Sequence, residues 1–256
     1  MPYLFKDSDL AARRLQVLAQ VFEPGSRAFL RDAVDATPGL AIDLGCGPGY
    51  TTHLLATMTG CQQVIGLDSS EHFLTLACQN SGERISFKHH DITRVPFPVE
   101  PGDLISCRFL LTHLQDPQTV IERWATQLRP HGRLLIEEVE WIHPLRAQFR
   151  TYLEIVAAML AQQANQLYIG PLLDRLPSPD GLQRRLSRVY RLPVTTAQAA
   201  TMFFMNIQTW KSQPFIQQHY PPETINQLEQ DLNELSATSA TGEIEWGMRQ
   251  IMYERI

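Results

Sequence analysis

Apolar residues recur along this chain with two different periods. Over residues 9–36, Leu10, Leu15, Leu18, Val21 and Phe22 keep helical spacing, Pro24-Gly25 interrupts it, and Phe29, Leu30, Ala33 and Val34 resume it. The interruption predicts two helices, closed by Thr37-Pro38-Gly39. From residue 39 the rhythm changes. Short apolar runs at 40–44, 63–67, 85–88, 103–109 and 133–139 alternate with helical stretches at 51–58, 70–79 and 117–128. Strand–helix alternation of this kind predicts right-handed βαβ units, hence a parallel sheet with helices on both faces. After Trp141 the pattern predicts one long helix over 145–168 ended by Gly170-Pro171, a loop at 177–181, a strand at 187–194, and helices at 196–210 and 222–236. Residues 243–256 fit a terminal strand or a helix. No internal repeat or low-complexity segment interrupts the chain.

Composition narrows the class. The chain has 256 residues, 44% hydrophobic and 19% charged, enough to bury a core in one elaborated domain. Net charge is −5 and the basic residues are scattered. A polyanion needs a basic stripe, so nucleic acid is not the expected partner. No apolar run is long enough to span a membrane, and no leader is legible at the N-terminus. Cys46, Cys61, Cys78 and Cys107 have no C-x-x-C spacing. Reduced thiols in the cytoplasm are expected, and neither the cysteines nor any Asp/Asn/His cluster predicts a metal.

The most informative segment is Ala41-Ile-Asp-Leu-Gly-Cys-Gly-Pro-Gly-Tyr50. A buried strand runs into three glycines and a helix follows, the place where open α/β sheets bind ligands. A dinucleotide fingerprint requires Gly or Ala where Tyr50 stands, and a P-loop requires Gly-Lys-Ser/Thr, so the loop is not shaped for a pyrophosphate. Asp68 ends the next strand about 20 residues after the loop, the spacing at which an acid can accept hydrogen bonds from a ribose. Asp91 ends the third.

Together these segments resemble class I S-adenosylmethionine-dependent methyltransferases. Asp43 to Gly49 resembles their D-x-G-x-G-x-G signature, Gly66-Leu-Asp68-Ser-Ser their second motif, Asp91-Ile92 their adenine-contacting acid, and Leu128-Arg-Pro-His-Gly-Arg-Leu-Leu their L-R-P-G-G-x-L turn, with His131 where glycine is usual. The resemblance covers residues 35–142. It implies a Rossmann-like, doubly wound, mostly parallel seven-stranded α/β sheet, with added N-terminal helices (1–36), a cofactor-binding core (37–144) and a helical C-terminal cap carrying the last strands (145–256). It implies S-adenosylmethionine as cofactor and S-adenosylhomocysteine as product. The backbone of Gly45, Cys46, Gly47 and Gly49 would face the methionyl part, with Asp43 at its amino group. Asp68 would meet the ribose, Asp91 the adenine, and Ile92 would pack on the base beside Ser69. A tight turn without a ligand, a helix cap at Asp68 and a turn role for Asp91 are the plainer alternatives.

The methyl acceptor is expected beyond the fourth and fifth strands. His113 is a candidate general base or orienting group, or starts the next helix. Arg108 is a candidate for the cofactor or an acceptor carboxylate, or pairs with Glu137, Glu138 or Glu140. His143 is a catalytic candidate or a loop histidine, and Trp141 a core or pocket wall. Nucleobase and glutamine methyltransferases carry N/D-P-P-Y/F where this chain has Arg108-Phe-Leu-Leu, which argues against those acceptors. Met202, Phe203, Phe204, Met205 and Trp210, with Tyr152, Met159 and Tyr168, pack helices or line an apolar acceptor pocket. Tyr3 and Arg13 are candidate contacts from the N-terminal helices. The expected function is methylation of a small, partly hydrophobic molecule on oxygen, nitrogen or carbon by a monomer or homodimer. The alternatives are a non-methylating S-adenosylmethionine-binding protein and a Rossmann-like NAD(P) oxidoreductase; fold alone does not choose among them.

Overall fold

The computed structural model describes residues 7–237 and 243–256. Strands β1 (Leu40–Leu44), β2 (Gln63–Asp68), β3 (Ile85–His89), β4 (Gly102–Arg108), β5 (Leu128–His143), β6 (Leu182–Thr195) and β7 (Glu243–Arg255) form one sheet in the order β3-β2-β1-β4-β5-β7-β6. The first five run parallel, and β7 is antiparallel to both β5 and β6. The expected seven-stranded, mostly parallel α/β sheet is therefore present.

Alternation along the central strands explains its two faces. Ala41, Val64, Leu104 and Leu135 point to a cluster that includes Phe29 and Leu30 of helix α1 (Asp9–Ala33) and Leu55 and Ala56 of α2 (Tyr50–Thr59). Their neighbours Ile42, Ile65, Ile105 and Leu134 point the other way, to Val120, Ile121 and Trp124 of α4 (Pro117–Ala125) and Leu173 of α6 (Gly170–Arg175). Side chains alternate across a strand, and both faces of a parallel sheet are covered, so these strands read as continuous apolar runs. Helix α3 (Glu71–Cys78) follows β2.

Between and around β6 and β7 the chain adds α5 (Ala147–Gln162), α7 (Thr196–Trp210), α8 (Pro214–His219) and α9 (Pro222–Ala237). Their buried stripes join Val21 and Phe22 of α1 and Val139, Ile142 and Trp246 of the sheet in a second core. A Thr195/Gln198 capping box starts α7 directly at the end of β6.

Several elements differ from the pattern. Residues 9–33 are one helix, not two: Pro24 lies inside it. The Gly25 carbonyl accepts from the Gln250 amide and the Ser26 hydroxyl donates to Glu137, so the sheet holds the segment that local propensity would break. The long helix stops at Gln162 rather than 168, where Ala164 turns left-handed at φ 58°, and Gly170-Pro171 opens a helix instead of closing one. Strands β5 and β6 are longer than their apolar runs because β7 pairs along both, and that pairing makes 243–255 a strand. His131 takes φ 64°, the conformation that glycine would adopt freely.

Candidate cofactor and acceptor site

The carboxyl ends of the parallel strands open on a single cavity of about 850 Å³. Gly45–Gly47 after β1, Asp68–Ser70 after β2, Asp91–Thr93 after β3 and Arg108–Leu110 after β4 line one end and the middle. Tyr152, Leu153 and Val156 of α5, Met202, Phe203 and Asn206 of α7, and Phe22 and Trp246 line the other. The cavity thus runs from a polar, glycine-lined end to an apolar, aromatic one.

At the polar end the loop is held by its own carboxylate. Asp68 Oδ2 accepts from the Gly47 N–H (2.8 Å) and Oδ1 from the Ser70 N–H (2.8 Å). Burial nevertheless raises the Asp68 pKa, against those two hydrogen bonds. Ser70, not Asp68, caps α3 with its hydroxyl. Gly45, Gly47 and Gly49 all have positive φ. They divide by role: Gly45 and Gly47 border the cavity, whereas a side chain on Gly49 would strike the Phe87 ring 2.7 Å away. Gly49 packs against Phe87 and does not border the cavity as Gly45 and Gly47 do. Asp91 accepts from the N–H and hydroxyl of Thr93 and pairs with Arg94 at 3.2 Å. The Thr93 hydroxyl heads the causes that hold its pKa low. It closes a turn and borders the cavity at once. Ile92 is buried against the cavity, its carbonyl fixed by the Trp124 indole N–H at 2.8 Å. Cys46 and Ser69 also border it.

Asp43 lies elsewhere. It is 2% exposed, accepts from the Thr51 and Thr52 hydroxyls (2.6 and 2.7 Å) and does not line the cavity. Burial raises its pKa to about 6. It sits under the loop, in a small pocket shared with Ser26, Arg108 and Glu137. Its hydrogen bonds go to the start of α2, and it does not border the cavity where the cofactor's amino group is expected.

Arg108 borders the large cavity and that pocket alike. Its Nη1 donates to the Ser26 hydroxyl (2.9 Å), which donates to Glu137, and Glu137 also accepts from Gln250 (2.7 Å). Of the three acids weighed for it, Glu137 is the neighbour, through a serine. Glu140 holds Arg249 instead (2.7 Å), and Glu138 faces the β4 turn. Desolvation lowers the Arg108 pKa, opposed by Glu137 and Asp43.

The turn after β4 carries His113 into the cavity. Glu138, fully buried on β5, accepts from the N–H groups of Leu110 (2.6 Å) and Leu111 (2.7 Å) and so fixes this turn, in which Phe109 takes φ 55°. Burial raises its pKa to about 7. Burial, then the charge of Arg14, lowers the His113 pKa to about 4, so its imidazole is neutral at pH 7. Arg14 is a cavity residue that the sequence reading missed; it named Arg13, which is exposed and outside the lining. Arg14 falls in the helical stripe with Ala11, Leu18 and Phe22, so the period was the signal available. His143 also lies off the cavity: it is 64% exposed and stacked on Trp141 at 4.1 Å, so its catalytic assignment is withdrawn, and Trp141 is neither core nor cavity wall. Tyr3 lies outside the described residues. Phe204, Met159, Tyr168 and Trp210 pack helices, and neither they nor Met205 line the cavity.

Residues 42–136 match the family model described as a methyltransferase domain. Over these residues the chain is similar to methyltransferase domains. The match spans the glycine loop, the acid-ended strands and β4, the part of the molecule that builds the polar end of the cavity. Two curated relatives are similar over about half of the chain. An uncharacterized 37.1 kDa protein in a transposon of Streptomyces fradiae is 34% identical over 121 residues, 45% of this chain and 34% of that protein. A ubiquinone biosynthesis O-methyltransferase of Coxiella burnetii is 29% identical over 145 residues, 53% of this chain and 61% of that one. The matched region thus spans between a third and three fifths of these relatives. Among solved structures, the YcgJ protein of Bacillus subtilis superposes with a TM-score of 0.53 at 16% identity, covering 91% of this chain and 98% of that one. This likeness shows a shared fold over most of the chain, beyond the matched residues.

Among the described residues no helix is long and apolar enough to cross a membrane, and no group of three His, Cys, Asp or Glu is placed to hold a metal ion.

Proposed function

We propose that the protein transfers a methyl group from S-adenosylmethionine to a small, uncharged, largely apolar molecule. The observation that carries this reading is the continuity of the cavity from the glycine loop to the aromatic chamber. The residues at the polar end suit the cofactor. Gly47 leaves room, since a side chain there would meet only Leu15 at 3.5 Å. Asp68 and Asp91 offer carboxylate oxygens at the cavity wall, and Ile92 an apolar face. S-adenosylmethionine, when bound, supplies an electrophilic methyl group on a sulfonium. What the chain supplies is enclosure and alignment: a wall of α1, α5 and α7 that excludes water and holds the acceptor on the methyl side. A histidine titrating near 4 is a weak base at neutral pH, so His113 is assigned to orienting the acceptor. The Coxiella relative, an O-methyltransferase, favours oxygen as the methylated atom. On the same reading, residues 1–36 and 145–256 are the walls around a core of 37–144, and the protein works in the cytoplasm as a monomer or homodimer without nucleic acid.

The test is calorimetric titration with S-adenosylmethionine, followed by an assay for S-adenosylhomocysteine over a panel of small hydroxylated and amino aromatics. Micromolar binding is expected in the wild type, with Asp68→Ala losing about 1–3 kcal/mol as a buried hydrogen-bonding group is removed. Equal binding by both proteins, or none by the wild type, overturns the cofactor reading. Tight binding with no product from any acceptor favours the non-methylating alternative.

A further inference from the structure

Asn206 breaks the apolar character of the acceptor end. It lies on the inner stripe of α7 with Met202, Phe203 and Trp210, borders the cavity and is 4% exposed. Its Nδ2 donates to the Tyr152 hydroxyl, while its Oδ1 is shielded from solvent and has no partner. Buried polar atoms in folded proteins are nearly always paired, and a leucine would fill this place on an apolar helix face without that cost. The surroundings are aromatic. The Tyr152 ring lies flat on Phe203 (4.0 Å, 17°), and Phe203 lies 5.8 Å from Trp246.

We infer that Asn206, anchored by Tyr152, reads a hydroxyl group on the methyl acceptor, and that the acceptor is an uncharged, flat aromatic alcohol. This deepens the function proposed above and rests on it. A hydroxyl both donates and accepts, so it satisfies the free end of the amide whichever way the amide is turned. The flat shape follows from the ring-lined walls, against which aromatic faces and edges pack well. The absence of charge follows from the lining. The residues that α5, α7 and β7 give to the cavity include no charged side chain.

The experiment compares two probes of nearly equal shape, 2-naphthol and 2-methylnaphthalene, by calorimetric titration of the full chain saturated with S-adenosylhomocysteine. In a chamber without a polar partner the hydroxyl is a penalty, and methylnaphthalene binds more tightly. With Asn206 as partner the order reverses: naphthol is expected to bind about tenfold more tightly to the wild type. Asn206→Leu is expected to abolish the preference and leave S-adenosylhomocysteine affinity unchanged. Tyr152→Phe keeps the ring, frees the amide from its anchor, and is expected to reduce the preference. It also serves if the leucine variant does not fold. A naphthol preference that survives in these variants, equal binding of the two probes by the wild type, or binding of neither overturns the assignment. The S-adenosylhomocysteine titration is read separately. Its failure removes the cofactor reading, whereas the naphthol ratio, measured then on the free protein, still decides Asn206.

Discussion

Glu138 shows how one side chain sets the shape of the site. Both N–H groups of the β4 turn converge on its Oε1, at 2.6 and 2.7 Å, and the turn presents His113. Its pKa stands at about 7, above the ordinary 4.5, because burial disfavours the carboxylate more than those hydrogen bonds favour it. The folded protein therefore keeps a proton that the unfolded chain releases. The stability this contributes is complete below about pH 4.5 and is lost as pH rises through about 7. Glu138→Gln retains the Oε1 acceptor. The variant is expected to fold, and to remove the share of the decline in stability between pH 5 and 7.5 that the wild type owes to this proton, on the order of 3 kcal/mol at most. Urea unfolding of both proteins across that range checks this; an unchanged slope refutes it. Asp43 contributes in the same direction, with its own pKa raised to about 6.

Elements are decided at their ends. Gly49 precedes α2 at φ 91° with the Phe87 ring against it. Gly49→Ala combines a strained backbone with a clash, and is expected to lower unfolding free energy by more than about 1 kcal/mol, read from a denaturant midpoint. The opposite case is His131, exposed on the turn inside β5 at φ 64°, with only a 3.8 Å approach to Glu254 to lose. His131→Gly is expected to stabilise by about 1 kcal/mol, because a left-handed residue with a Cβ carries a cost that glycine does not. A fall in melting temperature would refute it. Helix α1 carries a proline in its interior and still runs unbroken, because Ser26, Gly25 and Phe22 are fixed by partners from β4, β5 and β7.

In the whole molecule, Phe22 ties the N-terminal helix to the aromatic end of the cavity. Its ring meets Phe109 edge-on at 4.9 Å and Trp246 at 5.5 Å, and it is 2% exposed. Phe22→Ala is expected to cost about 3–5 kcal/mol of stability. Below its melting temperature, the variant should raise the KM for the acceptor far more than it weakens S-adenosylmethionine binding. Equal effects on both would place Phe22 in general packing rather than in the acceptor wall.

The sequence determined those features whose cause is local. Continuous apolar runs marked buried parallel strands, the glycines marked the loop at the end of β1, and the acids after β2 and β3 were placed at strand ends, where an open sheet binds ligands. Which acid reaches the cavity was not local: Asp43 is claimed by two threonine hydroxyls from α2, whereas Asp68 and Asp91 stand at the wall. Strand β7 stayed open between strand and helix, and the full length of β6 was not legible, for the same reason, since each is defined by a partner distant in sequence. His143 is removed from the site and Arg14 and Asn206 are brought into it by the packing of α1, α5 and α7 over the sheet. A period along one element reveals which face is buried. What that face meets depends on the elements opposite, and only the tertiary structure supplies them.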